Sequence, residues 1–294
     1  MLGIVAFLVI ILVGQVLPVF FIPFNLDFSN VFVLLGLYFF IFGVYFAIFI
    51  IFSKIKAGKE SSYKQALAVY NFKKPRVMDS LIVVVLGFVS IAAFMLLQNG
   101  VIQFLSILGH TANDPGFEMA NIGQFFVVVV AVAVLPSIVE ELMFRGLILH
   151  SLMPFGKGIA VFASSLLFSL FHLNPAQTVY QFFFGVVLAL VYLRTKNMLY
   201  PMLLHFVNNF TVITYTYITQ GMKVCIRFDW QYVLTMWMLV VIGTVIAISL
   251  VKILKKSDRE PRAGDQKFVG TKEFIGLLVS VVICLAIWMF VFLH

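Results

Sequence analysis

The chain has 294 residues, of which 63% are hydrophobic and 11% charged, with a formal net charge of +8 and a mean hydropathy of +1.10. Soluble globular proteins are about 45–50% apolar and about 25% charged. A water-soluble enzyme, a disordered chain and a disulfide-stapled secreted module are therefore excluded, and an all-α polytopic helical membrane protein is left.

Crossing a bilayer as a helix takes about 20 apolar residues. Uncharged apolar runs fall at 3–22, 31–52, 80–98, 121–139, 158–171, 177–193, 198–219, 230–251 and 274–293, which predicts about 8–9 transmembrane helices in one integral membrane domain spanning 1–294. The first run has no basic flank and no small-x-small cleavage site, so it reads as a retained span. The fourth run continues as a helical pattern to Leu152. At 1.5 Å per residue such a helix reaches about 48 Å, beyond the roughly 30 Å hydrocarbon core, so it tilts or protrudes. The fifth run is short unless His172 belongs to it. Nothing alternates as a barrel strand does, and the longest loops are too short for a core of their own.

Basic residues set orientation. Loop 53–79 carries Lys54, Lys56, Lys59, Lys64, Lys73, Lys74 and Arg76, and loop 252–273 carries Lys252, Lys255, Lys256, Arg259, Arg262, Lys267 and Lys272. Lys157 and the Arg194–Lys196 pair mark two shorter turns. With the N-terminus inside, all four stretches face the cytoplasm, whereas Lys223 and Arg227 face out. This reading places the chain in the cell membrane as a multi-pass protein. Its basic charge then serves topology and attraction to anionic lipid; no motif points to nucleic acid. The two cysteines, Cys225 and Cys284, offer neither a disulfide framework nor a metal cluster.

All six Asp, and Glu60, Glu118, Glu260 and Glu273, lie in loops or at span ends. Every deeply placed charge belongs to the string Glu140-Glu141-Leu142-Met143-Phe144-Arg145. Ionisable residues inside a membrane are functional candidates because each costs about 2.5–3.5 kcal/mol to insert. Glu141 and Arg145 are spaced i,i+4 with the acid first, the favourable order for a pair. Glu140 points about 100° away and is left to meet something else. Two further polar groups lie on later spans: Phe168-Ser169-Leu170-Phe171-His172, and His205-Phe206-Val207-Asn208-Asn209. His205 and Asn209 share a helix face, with Asn208 as the i+3 alternative. Counted from the cytoplasmic turns, Glu140, His172 and His205 fall at depths that allow one cavity in the cytoplasmic half of the bilayer, in the bundle core.

A carboxylate, two imidazoles and an amide suit hydrolysis by activated water. Glu140 takes a proton from water while His172 orients that water or shares the proton. His205 and Asn209 donate hydrogen bonds to the oxyanion of a tetrahedral intermediate. This chemistry calls for no cofactor. Rival chemistries lack their parts: there is no His-Glu-x-x-His, no pair of membrane Asp and no Gly-x-Ser-x-Gly. A zinc ion on Glu140, His172 and His205 stays stereochemically open, since three ligands plus water is a catalytic pattern.

Glu-Glu-x-x-x-Arg at 140–145, Phe-x-x-x-His at 168–172 and His-x-x-x-Asn at 205–209, in that order on successive apolar segments, resemble the three motifs of the CAAX-protease and bacteriocin-processing (Abi) family, which includes the Ras-converting CAAX endopeptidase. The resemblance covers about residues 120–210, which would form the catalytic helical core. It implies an intramembrane glutamate-type endopeptidase with Glu140, His172, His205 and Asn209 catalytic and Glu141 and Arg145 supporting. It also implies a CAAX-type or other membrane-associated peptide, or a lipidated protein, entering from the membrane or cytoplasm. Three alternatives stay open: a non-enzymatic bacteriocin-immunity or scaffold protein, a metal-dependent version of the protease, and a proton-relaying transporter. The enzyme reading predicts that the four side chains converge and that Asn209, rather than Asn208, faces the cavity.

Overall fold

The computed structural model describes residues 31–57, 71–109, 119–219 and 230–256, with single positions in the first and last apolar runs. The expected spans 3–22 and 274–293 fall largely outside the described residues, and His110, Asp114, Glu118, Lys223, Arg227, Cys225 and Cys284 fall wholly outside them. The described residues form helices and no strand: α1 Val31–Ala57, α2 Val77–Ile107, α3 Ile122–Phe155, α4 Lys157–Phe171, α5 Thr178–Thr195, α6 Leu199–Thr219 and α7 Trp230–Ile253. Helices alone satisfy their backbone polar groups within one segment, as a bilayer requires. Five of these are long and apolar enough to cross a membrane: α1, α2, α3, α7, and α5 with the turn before it. The 15-residue α4 is too short alone, and α6 carries the polar His205, Asn208 and Asn209. The fold is all-α and polytopic.

Close helix approach depends on small residues, because lipid offers no hydrophobic drive between helices. Gly87 of α2 packs under Val207 of α6, where an added Cβ would come 2.7 Å from Val207 Cγ1. Gly243 of α7 meets Ala93 of α2, and a Cβ there would lie 2.4 Å from Ala93 Cβ. Around this contact the outer faces of α2 and α7 stay apolar and exposed, as with Leu81, Val85, Trp237 and Val241.

Helix α3 is the spine of the site. Its 34 residues give about 51 Å of length, as the sequence pattern suggested. It is not uniform: wider π turns at Val129–Val134 and Leu142–Ile148 flank the α segment Leu135–Glu141. Such turns recur at functional sites. Pro136 lies inside the first transition and has no N–H to give to the Val132 carbonyl four residues back. Helix α4 ends at Phe171 and His172 caps it, so His172 closes the fifth span rather than sitting within it. Leu173 then turns the chain with φ +48°, and Asn174 Oδ1 accepts from Ala176 N at 3.0 Å to open the next turn.

Three of the basic stretches meet at one end of the bundle. Asn71 Nδ2 donates to Lys196 O and Asn197 Nδ2 to Lys73 O at 2.8 Å. Arg194 Nε and Nη2 donate to Leu254 O and Lys252 O at 2.9 and 2.6 Å. Asp79, read from sequence as an ordinary span-end charge, is buried there in the first turn of α2. It accepts from Tyr200 Oη at 3.3 Å and lies 3.6 Å from Arg76.

Candidate active site

The site is built on α3. Glu141 is fully buried, and its Oε1 accepts from Arg145 Nη1 at 3.0 Å, the i,i+4 pair expected from spacing. The same oxygen accepts from His205 Nδ1 at 2.8 Å, a tie between α3 and α6 that spacing along the chain does not reveal. Arg145 Nη2 donates to Gly185 O on α5 at 3.0 Å, and its guanidinium lies 4.6 Å over the Phe168 ring of α4. One buried ion pair thus joins four helices. Gly185 makes the approach possible: a Cβ there would sit 3.2 Å from Phe168 Cδ1 and from Ser165 Cα.

Glu140 differs from its neighbour. It lines a cavity of about 400 Å³ that Glu141 does not reach, and although Oε2 of both carboxylates lacks a hydrogen-bond partner, only Glu141 has an Oε1 tied to Arg145 and His205. His172, His205, Asn208, Asn209 and Tyr180 line the same cavity. The structure therefore brings Glu140, His172, His205 and Asn209 to one space, while Glu141 and Arg145 lie behind it. Asn208 lines the cavity as well as Asn209, which corrects the expectation that Asn209 alone would face it. Consecutive residues of a helix diverge by about 100°, and a cavity extending from Val132 on α3 to Tyr180 on α5 reaches both.

Each imidazole is held by one nitrogen. His172 Nδ1 lies 2.8 Å from Phe168 O. A carbonyl only accepts, so Nδ1 carries the proton and Nε2 of the neutral ring keeps a lone pair. That nitrogen can take a hydrogen bond or a proton from water. His205 Nδ1 donates to the Glu141 carboxylate, which fixes its ring in the same sense. For Nε2 of His205 to donate to an oxyanion, the ring must carry both protons, with Glu141 balancing the charge. Phe168 stacks edge-on against both rings, 5.0 Å from His172 and 5.8 Å from His205, and holds them in place.

The amides form a relay that sequence reasoning missed. Tyr180 Oη donates to Asn208 Oδ1 at 2.5 Å, Asn208 Nδ2 to Asn209 Oδ1 at 3.1 Å, and Asn209 Nδ2 to Val132 O at 2.9 Å. Val132 lies four residues before Pro136, which has no N–H to give, and its carbonyl accepts from Asn209. Each asparagine retains a second amide N–H. The signals available in sequence were Pro136 inside a charged helix and the Asn-Asn pair itself. Tyr180 carried no signal of its own.

No group of three or more His, Cys, Asp or Glu among the described residues is arranged to hold a metal ion. The carbonyl and carboxylate on the two Nδ1 atoms resemble those behind metal-binding histidines.

A carboxylate, two oriented imidazoles and spare amide donors around one recess between membrane helices define the layout of a membrane-embedded hydrolase. Residues 122–211 match the model of the Rce1-like family, described as type II CAAX prenyl endopeptidase Rce1-like. The family is one of peptidases acting in a lipid environment on membrane-associated peptides, and it supports a CAAX-type intramembrane protease. Comparison with curated proteins and with solved structures gave no match.

Proposed function

We propose that the protein is a glutamate-type intramembrane endopeptidase in which Glu140 removes a proton from water bound in the cavity. His172 orients that water through its Nε2 lone pair. The activated oxygen attacks the scissile carbonyl, and the resulting oxyanion accepts from His205 and Asn209; its collapse breaks the C–N bond, and the amine leaves with the proton that Glu140 took from water. Glu141 and Arg145 do not touch substrate; they fix His205 and the helices around it. The peptide is a membrane-associated, CAAX-type segment that reaches the cavity from the bilayer or the cytoplasm. On this reading residues 120–210 are the catalytic core of one integral domain over 1–294, embedded multi-pass in the cell membrane.

The observation carrying this reading is the convergence of Glu140, His172, His205 and Asn209 on one cavity. Its test is cleavage of a prenylated CAAX peptide by the purified protein, read by mass spectrometry, with alanine variants at His172, His205 and Asn209. Losses of about 10²–10³-fold at His205 and Asn209, and about 10²–10⁴-fold at His172, are expected. Cleavage unaffected in all three variants would refute the assignment.

A further inference from the structure

A second concave site lies outside the catalytic cavity, at the end of the bundle where the basic stretches meet. It measures about 430 Å³ and is lined by Lys73, Lys74, Arg76, Lys255 and Lys256, against the single carboxylate of Asp79. The cations come from two segments far apart in sequence, the irregular entry to α2 and the exit from α7. Asp79 offsets only one of them, Arg76 at 3.6 Å, and its other contacts are Tyr200 Oη and the Lys255 backbone N–H, so the four lysines keep their charge. The walls are fixed by the side-chain-to-backbone bonds of Asn71, Arg194 and Asn197. Charge placed only for topology needs no such framed recess.

The surroundings identify the ligand's other half. Directly beyond the pocket the surface is apolar and open: Val77, Met78 and Leu81 on α2 and Ile253 on α7 are 77, 62, 56 and 64% exposed. The cations thus stand within a turn of exposed apolar faces, at the ends of two helices long and apolar enough to cross a membrane. Basic pockets between membrane helices bind anionic head groups in this way. We propose that this pocket is a binding site for the phosphate of an anionic phospholipid, whose acyl chains lie along the exposed faces of α2 and α7. The proposal stands whether or not Glu140 is the catalytic base.

The test uses full-length protein, delipidated in neutral detergent and titrated with phosphatidylglycerol, phosphatidylcholine or inorganic phosphate, with adducts counted by native mass spectrometry. Phosphatidylglycerol should bind more tightly than phosphatidylcholine. Lys73→Gln/Lys255→Gln should weaken it about 30-fold, at roughly fivefold per cation. A second pair, Lys74→Gln/Lys256→Gln, should do the same and guards against a folding defect in the first. Lys54→Gln/Lys157→Gln removes equal charge outside the pocket and should change binding by less than about twofold. Equal losses in the control and the pocket variants, or no preference over phosphatidylcholine, would overturn the site. Inorganic phosphate binding as tightly as the lipid would overturn the lipid assignment.

Discussion

Glu140 and Glu141 are neighbours in sequence, yet they should respond oppositely to the same substitution. Glu141 Oε1 accepts two charge-assisted bonds, from Arg145 Nη1 at 3.0 Å and His205 Nδ1 at 2.8 Å, at a position with no exposure. Glu141→Gln keeps the shape and removes the charge, leaving a buried guanidinium whose contacts there are neutral: the amide oxygen, Gly185 O and the Phe168 face. Removing one partner of a buried pair costs about 3–5 kcal/mol. Glu140→Gln removes a carboxylate whose Oε2 has no partner, so it should change stability by less than about 0.5 kcal/mol or raise it. Unfolding in mixed micelles by SDS titration, followed by far-UV circular dichroism, measures both. Adding Arg145→Met to Glu141→Gln should recover part of the loss, with a coupling of about 0.5–3 kcal/mol. A Glu141→Gln loss below about 1 kcal/mol, or an equal loss at Glu140, would refute the division of labour between the two residues.

Three other outcomes follow from the geometry. Tyr180→Phe removes the donor at the head of the amide relay; it should lower kcat about tenfold with little change in KM, short of the roughly 10²–10³-fold expected when an oxyanion donor itself is lost, and steady-state kinetics decides this. Gly185→Val would push branched carbons into Phe168 and the Ser165 backbone; a stability loss of about 1–3 kcal/mol should accompany reduced cleavage, since Phe168 packs on both histidines. No proposed step uses a metal, so enzyme stripped with a chelator and assayed in metal-free buffer should keep its full rate, and restoration of a lost rate by zinc would contradict that.

Much of this architecture could be read from residue order. Apolar runs anticipated α1 and α3 to α7 within about five residues, because bilayer thickness sets span length whatever the tertiary fold, whereas α2 continues to Ile107, nine residues past the expected end at 98. The Glu141–Arg145 pair was legible because i,i+4 spacing is local. What escaped was tertiary. Nothing along the chain says that His205 reaches Glu141, or that Tyr180, Asn208 and Asn209 line up toward Val132. Pro136 was visible, but its consequence depended on which helix packs beside the carbonyl it cannot serve. Asp79 looked like any span-end charge until Tyr200 and the exit of α7 closed over it. The doublet Asn208–Asn209 was read as a choice between faces, whereas the cavity is wide enough to meet both.

The central claim is that Glu140 activates the attacking water. Its most direct test is single-turnover cleavage of a prenylated CAAX peptide by purified Glu140→Gln protein, verified as folded by its unfolding curve. The predicted result is a rate lowered about 10²–10⁴-fold in a protein as stable as the parent. A folded Glu140→Gln protein that cleaves within about threefold of the parent rate, far inside the range expected for a lost general base, would contradict it.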